Sequence, residues 1–131
     1  IWATADNLPA LLQGAQVVVD ALDRLPIRLT VQNVCARLEL PLVHGAIGGY
    51  IGQVTTILPG DPGLRALYGE SEVAERGAEV EWGNPAATPM MAAAWQIQEV
   101  IKLLTGKGEI LRGRLLFMDA ETGSVEFFQL S

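Results

Sequence analysis

The sequence predicts an α/β fold: a βαβ unit that continues into an antiparallel β region closed by a C-terminal hairpin, with one long helix over 88–105. Three observations carry this prediction. The run Val17-Val18-Val19-Asp20-Ala21 is β-branched without polar alternation, the pattern of a strand covered on both faces in a parallel sheet. An amphipathic stretch and a second apolar run, Leu42-Val43-His44-Gly45, follow it over about thirty residues, the span of one strand–helix–strand unit. Apolar residues then recur at helical spacing between Thr88 and Gly106. Together these describe a partial, Rossmann-like sheet of the doubly wound kind.

Each element follows from local chemistry. Leu8 to Gly14 mixes polar and apolar residues in a way that suits a short helix. From Arg24 to Leu38, Leu25, Leu29, Val34 and Leu38 make an apolar face, Arg28, Gln32 and Arg37 lie on the other, and Pro26 is tolerated in the first turn. Tyr50 to Leu58 is rich in β-formers and stops at Pro59-Gly60-Asp61-Pro62-Gly63, which has turn chemistry. Between Leu64 and Asn84, Glu70, Glu72, Glu75, Glu79 and Glu81 outnumber Arg65 and Arg76 with little periodicity, which predicts a solvated, irregular and mobile crossover segment over 64–84. Thr88 and Pro89 read as an N-cap and N1 pair, Met90, Ala93, Ala94, Ile97, Val100, Ile101 and Leu104 as a packing face, and Gly106 as the helix stop. Arg114 to Asp119 and Val125 to Leu130 flank Ala120-Glu121-Thr122-Gly123 as the terminal hairpin.

A length of 131 residues with half of them hydrophobic suits a single domain with its own core. Nine Lys and Arg against fifteen Asp and Glu give a net charge of −6, which repels phosphate backbones and anionic headgroups and argues against nucleic-acid and membrane-surface roles. The start at Ile1 carries no basic, signal-like region and no apolar run reaches the roughly 20 residues of a span, so a cytoplasmic location is expected. Ile1-Trp2-Ala3 reads as strand sequence, which predicts further chain upstream. One cysteine, Cys35, and one histidine, His44, cannot build a zinc cage.

The candidate chemistry gathers at the end of the triple-valine strand, where open α/β sheets bind ligands. Asp20 and Asp23 stand there. Asp23 reads either as a Mg²⁺ ligand beside nucleotide phosphates or as the N-cap of the helix that follows. Gly45, Gly48, Gly49 and Gly52 run into strand sequence instead of opening a helix, and Gly106-Lys107-Gly108 lacks the rest of a Walker loop, so neither is a phosphate cradle. Cys35 has no basic partner to hold a thiolate and reads as a buried structural thiol. His44 reads as a hydrogen-bonded structural histidine or a ligand-positioning one, and Met90, Met91 and Trp95 as helix packing.

The segments VVVDALDRLPIR, LPLVHGAIGGYIGQVTTILPGDPGLRALY, NPAATPMMAAAWQIQEVIKLLTGKGE and GRLLFMDAETG, in this order, resemble the carboxyl-terminal half of the ubiquitin-activating-enzyme-like adenylyltransferases of the ThiF, MoeB and HesA type. The resemblance runs from Val17 to Leu130. It implies a chain contributing to a homodimeric enzyme that uses Mg-ATP to adenylate the Gly-Gly carboxylate of a ubiquitin-like sulfur carrier, as in thiamine and molybdopterin synthesis. Asp23 falls on the metal-binding aspartate of the family's D-x-x-D-N element, and Arg24 stands where that element has Asn. The nucleotide loop and the residues that clamp the triphosphate belong to the amino-terminal half, so no catalytic residue is assigned here and the chain alone is expected to be inactive. Gly63 to Ala66 holds no cysteine where many members carry a zinc-binding Cys-x-x-Cys, so no zinc is expected. Arg24, Gly63 and Ala66 also support a second reading, a non-catalytic carrier-binding or dimerisation module of the same fold.

Overall fold

The computed structural model describes residues 1–69 and 83–130. In chain order the elements are α1 (Leu8–Leu11), β1 (Val18–Asp20), α2 (Leu25–Arg37), β2 (Leu42–Gly48), β3 (Ile51–Ile57), α3 (Leu64–Tyr68), α4 (Ala87–Thr105), β4 (Arg114–Asp119) and β5 (Ser124–Gln129). The strands form one sheet in the order β1-β2-β3-β4-β5. β1 runs parallel to β2, with Val18 opposite Leu42 and Asp20 opposite His44, and α2 makes the crossover. The remaining pairs are antiparallel, so the βαβ unit passes into a meander as the sequence predicts.

Helices cover β2 and β3 on both faces, but β1 on one only. Val18 and Asp20 are buried while Val19 between them is 47% exposed, so the expectation of a strand covered on both faces is corrected: among the described residues no helix packs over the second face of this edge strand. On one side Val31, Val34 and Cys35 of α2 close over Val18, Leu42 and Ile57, with Leu8 and Leu64 completing the layer. On the other, Ala92 packs against Val43, Val54, Leu116 and Met118, with Leu111 below the helix end. Each fully buried Leu or Val is worth about 1.5–3 kcal/mol over an exposed one, and because the successive residues Leu42 and Val43 feed opposite layers, a one-residue slip of β2 would exchange the two cores. β5 is exposed along its length, so the sheet thins toward its carboxyl-terminal edge.

Three elements differ from expectation. β2 does not end at Gly45 but continues to Gly48 and turns through Gly49 and Tyr50 into β3, because a glycine-rich strand is tolerated where another group must come close. α4 starts at Ala87, so Thr88 lies inside the helix and its hydroxyl donates to the Gly49 carbonyl at 2.8 Å instead of capping. The first residues of the segment read as irregular form α3, whose Leu64 N–H donates to Gln32 Oε1 at 2.7 Å. Residues 70–82 of that segment lie outside the described residues. α4 ends as predicted at Gly106, which adopts the left-handed conformation (φ 68°) and donates to the Lys102 carbonyl.

The faces of both long helices also depart from a simple apolar stripe. On α2 the buried residues are Arg28, Val31, Gln32, Val34 and Cys35, while Leu38 is exposed. On α4 they are Thr88, Ala92, Gln96 and Glu99, and the stripe Met90, Ile97, Ile101 and Leu104 faces outward, with Met90 71% exposed. Trp95 is also exposed, whereas Met91 packs against the core. The physical reason is that polar side chains here reach backbone groups of the sheet and loops that would otherwise be buried without partners.

Candidate functional site

The carboxyl end of β1 is where the two candidate aspartates part. Asp20 is 1% exposed. Its Oδ1 accepts the Leu22 N–H at 3.0 Å, its Oδ2 meets His44 Nδ1 at 2.7 Å, and Arg28 Nη1 lies 3.6 Å from the same oxygen. The carboxylate expected beside a nucleotide is instead drawn inward and engaged by three protein groups.

Asp23 is exposed and, among the described residues, makes no hydrogen bond or ion pair. The N-cap position of α2 belongs to Arg24, in extended conformation (φ −125°, ψ 134°) and without a side-chain cap bond. The capping alternative for Asp23 is therefore corrected: the chain enters α2 one residue too late for its side chain to serve. A solvent-facing carboxylate with no protein partner fits Mg²⁺, which takes one or two such oxygens and completes its shell with water and phosphate.

Behind Asp23 the backbone is held from both faces of the sheet. Arg28 reaches from α2, donating through Nη2 to the Leu22 carbonyl and through Nη1 to the Gly45 carbonyl at 2.9 Å. Gln96 reaches from α4 and donates to the Asp20 carbonyl at 2.8 Å and the Val43 carbonyl at 3.3 Å. It passes directly over Gly45, where a Cβ would overlap its carboxamide. Glycine at 45 thus serves the approach of a side chain, not of a phosphate.

His44 is fully buried and packs edge-on to the Tyr68 ring (centroids 6.2 Å apart, 90°). With Nδ1–H donated to Asp20, Nε2 has no partner among the described residues. Burial holds its pKa below the ordinary imidazole value, and the Asp20 bond offsets only part of that. It is the structural histidine of the two alternatives. Cys35 is buried as expected, and burial, with the Asp20 charge, pushes its thiol up to about 11.

Two further polar groups organise the carboxyl-terminal half. Glu99 is 0% exposed: its Oε2 accepts from Thr56 Oγ1 at 2.6 Å and from the Leu111 N–H at 2.8 Å, while its Oε1 meets the Lys102 ammonium. Asp61 accepts from the Arg112 guanidinium at 2.8 to 3.2 Å and from the Leu58 N–H, which holds its carboxyl below the usual range. Arg28, Gln96 and Glu99 were not legible as site residues from helical spacing. The one available signal is that each sits among residues at core spacing, where a polar side chain must find a partner.

The profile of the ThiF family matches residues 2–131. The chain is 40% identical over 117 residues to the SAMP-activating enzyme E1 of Haloferax volcanii, covering 87% of this chain and 43% of that protein. It is 30% identical over 105 residues to the sulfur carrier protein ThiS adenylyltransferase of Bacillus subtilis, covering 79% and 31%. The chain thus spans less than half the length of these relatives. Among solved structures, E. coli MccB with ATP superposes on all of this chain and 41% of its own with a TM-score of 0.77 at 16% identity, a likeness of fold.

Proposed function

Because the chain belongs to the ThiF family, we propose that it is the carboxyl-terminal portion of an ATP-dependent adenylyltransferase that activates the C-terminal carboxylate of a ubiquitin-like sulfur carrier. The observation that carries this reading is Asp23: an exposed, unpartnered carboxylate at the carboxyl end of the parallel strand β1, where α/β sheets bind nucleotides. The names of the relatives, a SAMP-activating enzyme and a ThiS adenylyltransferase, support a small carrier protein of the thiamine or molybdopterin type as the substrate.

In this reading Asp23 supplies an oxygen ligand to Mg²⁺ bound with ATP. When bound, the metal would offset charge on the phosphates as the carrier carboxylate bonds to the α-phosphorus and the α–β phosphoanhydride breaks, releasing pyrophosphate. In this proposal the phosphate cradle and the second wall of the crevice belong to the rest of the enzyme, and this portion alone does not turn over. The open side of β4 and β5, where Phe117 and Phe128 stack edge-on at 5.8 Å, offers an apolar platform for the carrier. The outward stripe of α4 supports assembly as a homodimer, since contiguous exposed apolar surface marks contact surfaces. No helix among the described residues is long and apolar enough to cross a membrane, and the proposed site of action is cytoplasmic.

The test is exchange of labelled pyrophosphate into ATP by the full-length protein. Exchange that depends on a carrier ending in Gly-Gly supports the enzyme. Carrier binding without exchange supports the second reading, a non-catalytic carrier-binding module, which Arg24 favours by placing a cation next to the proposed metal ligand.

A further inference from the structure

Asp23 has no side-chain partner, yet its direction is not left to chance. The residue before it is gripped on both sides of its Cα. Leu22 N–H is accepted by Asp20 Oδ1, and the Leu22 carbonyl, part of the peptide that joins Leu22 to Asp23, accepts from Arg28 Nη2. Both gripping side chains are buried, and each is braced in turn. Asp20 is bonded to His44 Nδ1 at 2.7 Å and Arg28 to the Gly45 carbonyl at 2.9 Å, two neighbouring residues of β2. A turn residue on a protein surface does not ordinarily carry buried ionic partners on both of its backbone groups, because burying charges is costly unless they are fully paired.

We infer that Arg28 and Asp20 are positioning residues for Asp23: they hold the Leu22 backbone so that the Asp23 carboxylate is presented in one orientation. This rests on the reading of Asp23 as the Mg²⁺-nucleotide ligand. Arg28 suits the task because its planar fork serves two carbonyls at once, the Leu22 and Gly45 oxygens, which a lysine ammonium on a flexible stem does not reproduce. Arg28 and Asp20 touch neither substrate nor metal in this account, and their effect passes through the Leu22 backbone alone.

The experiment uses the full-length protein and reads amide hydrogen exchange across residues 18–26 together with Mn²⁺ affinity in the presence of ATP. In the unchanged protein the Leu22 amide exchanges slowly despite its place in a turn. Arg28→Lys speeds exchange at Leu22 and Asp23 by about tenfold or more, leaves α4 and β3 protection as it was, and weakens Mn²⁺ binding by about tenfold while metal-free ATP affinity holds. Asp20→Asn acts in the same direction, which keeps the test decisive should Arg28→Lys fold poorly. An unprotected Leu22 amide in the unchanged protein, or Arg28→Lys exchange no faster at residues 21–24 than before, overturns the inference. Asp23→Asn separates it from its premise: this change abolishes the Mn²⁺ effect and leaves Leu22 slow, whereas Mn²⁺ binding untouched by Asp23→Asn overturns the ligand assignment itself.

Discussion

Replacing Gly45 by alanine tests whether the end of β1 is held through Gln96. The new Cβ would overlap the Gln96 carboxamide, and because that group ends a flexible side chain, it moves aside rather than distorting the strand. What is lost is its pair of bonds to the Asp20 and Val43 carbonyls at 2.8 and 3.3 Å, both in the interior. A buried polar group stripped of its partner costs about 1–3 kcal/mol, so Gly45→Ala is expected to destabilise by about 2–3 kcal/mol. Gln96→Ala removes the same bonds by another route. In that background the alanine at 45 meets no carboxamide and costs less than about 0.5 kcal/mol, giving a coupling energy of about 2 kcal/mol. Urea unfolding of the four proteins, with m-values compared to keep the unfolded state constant, measures the cycle. Effects that simply add would show that Gly45 and Gln96 act separately and refute the approach argument.

Three further outcomes follow from buried groups. Glu99→Ala leaves the Thr56 hydroxyl and the Leu111 N–H unpaired, so a loss of about 3–5 kcal/mol is expected by urea unfolding; a loss under about 1 kcal/mol would contradict the role given to Glu99. His44 has its pKa lowered on folding, so its contribution is complete above the unfolded value of about 6.5 and is lost as pH falls below it, at up to about 1.4 kcal/mol per pH unit. His44→Asn, which keeps a donor for Asp20, should flatten the stability profile just below about pH 6.5; an unchanged slope would assign that limb to other groups. Cys35, buried and with its thiol pushed up to about 11, should resist alkylation at pH 8 in the native protein and react only on unfolding, and rapid native labelling would show the α2 layer to be open.

The strands were readable because β-branched, apolar composition is itself the signal: Val17 to Val19 has no polar alternation, but that pattern overstated the burial of β1, where Val19 faces solvent. The hairpin around Ala120 to Gly123 was equally plain, since its turn chemistry is local. Helix faces were less legible. Period alone puts Arg28 and Gln32 on the solvent side of α2 and Ile97 and Ile101 on the core side of α4, and the structure reverses both. The reason is tertiary: the backbone groups that Arg28, Gln32, Gln96 and Glu99 satisfy belong to elements far along the chain, so no window of sequence contains both halves of the bond. For the same reason the two aspartates looked alike. Asp20 ends β1 and is drawn inward by a histidine 24 residues away, an arginine inside the next helix and the Leu22 N–H, whereas Asp23, three residues on, meets none of them.

The most direct test of the central claim, that Asp23 is the carboxylate this chain presents to a metal-bound nucleotide, is the rate of pyrophosphate exchange into ATP by full-length Asp23→Asn protein at saturating carrier. The account predicts a fall of about a hundredfold or more with native stability retained, because an exposed, unbonded side chain contributes little to folding. Exchange at the unchanged rate would contradict it.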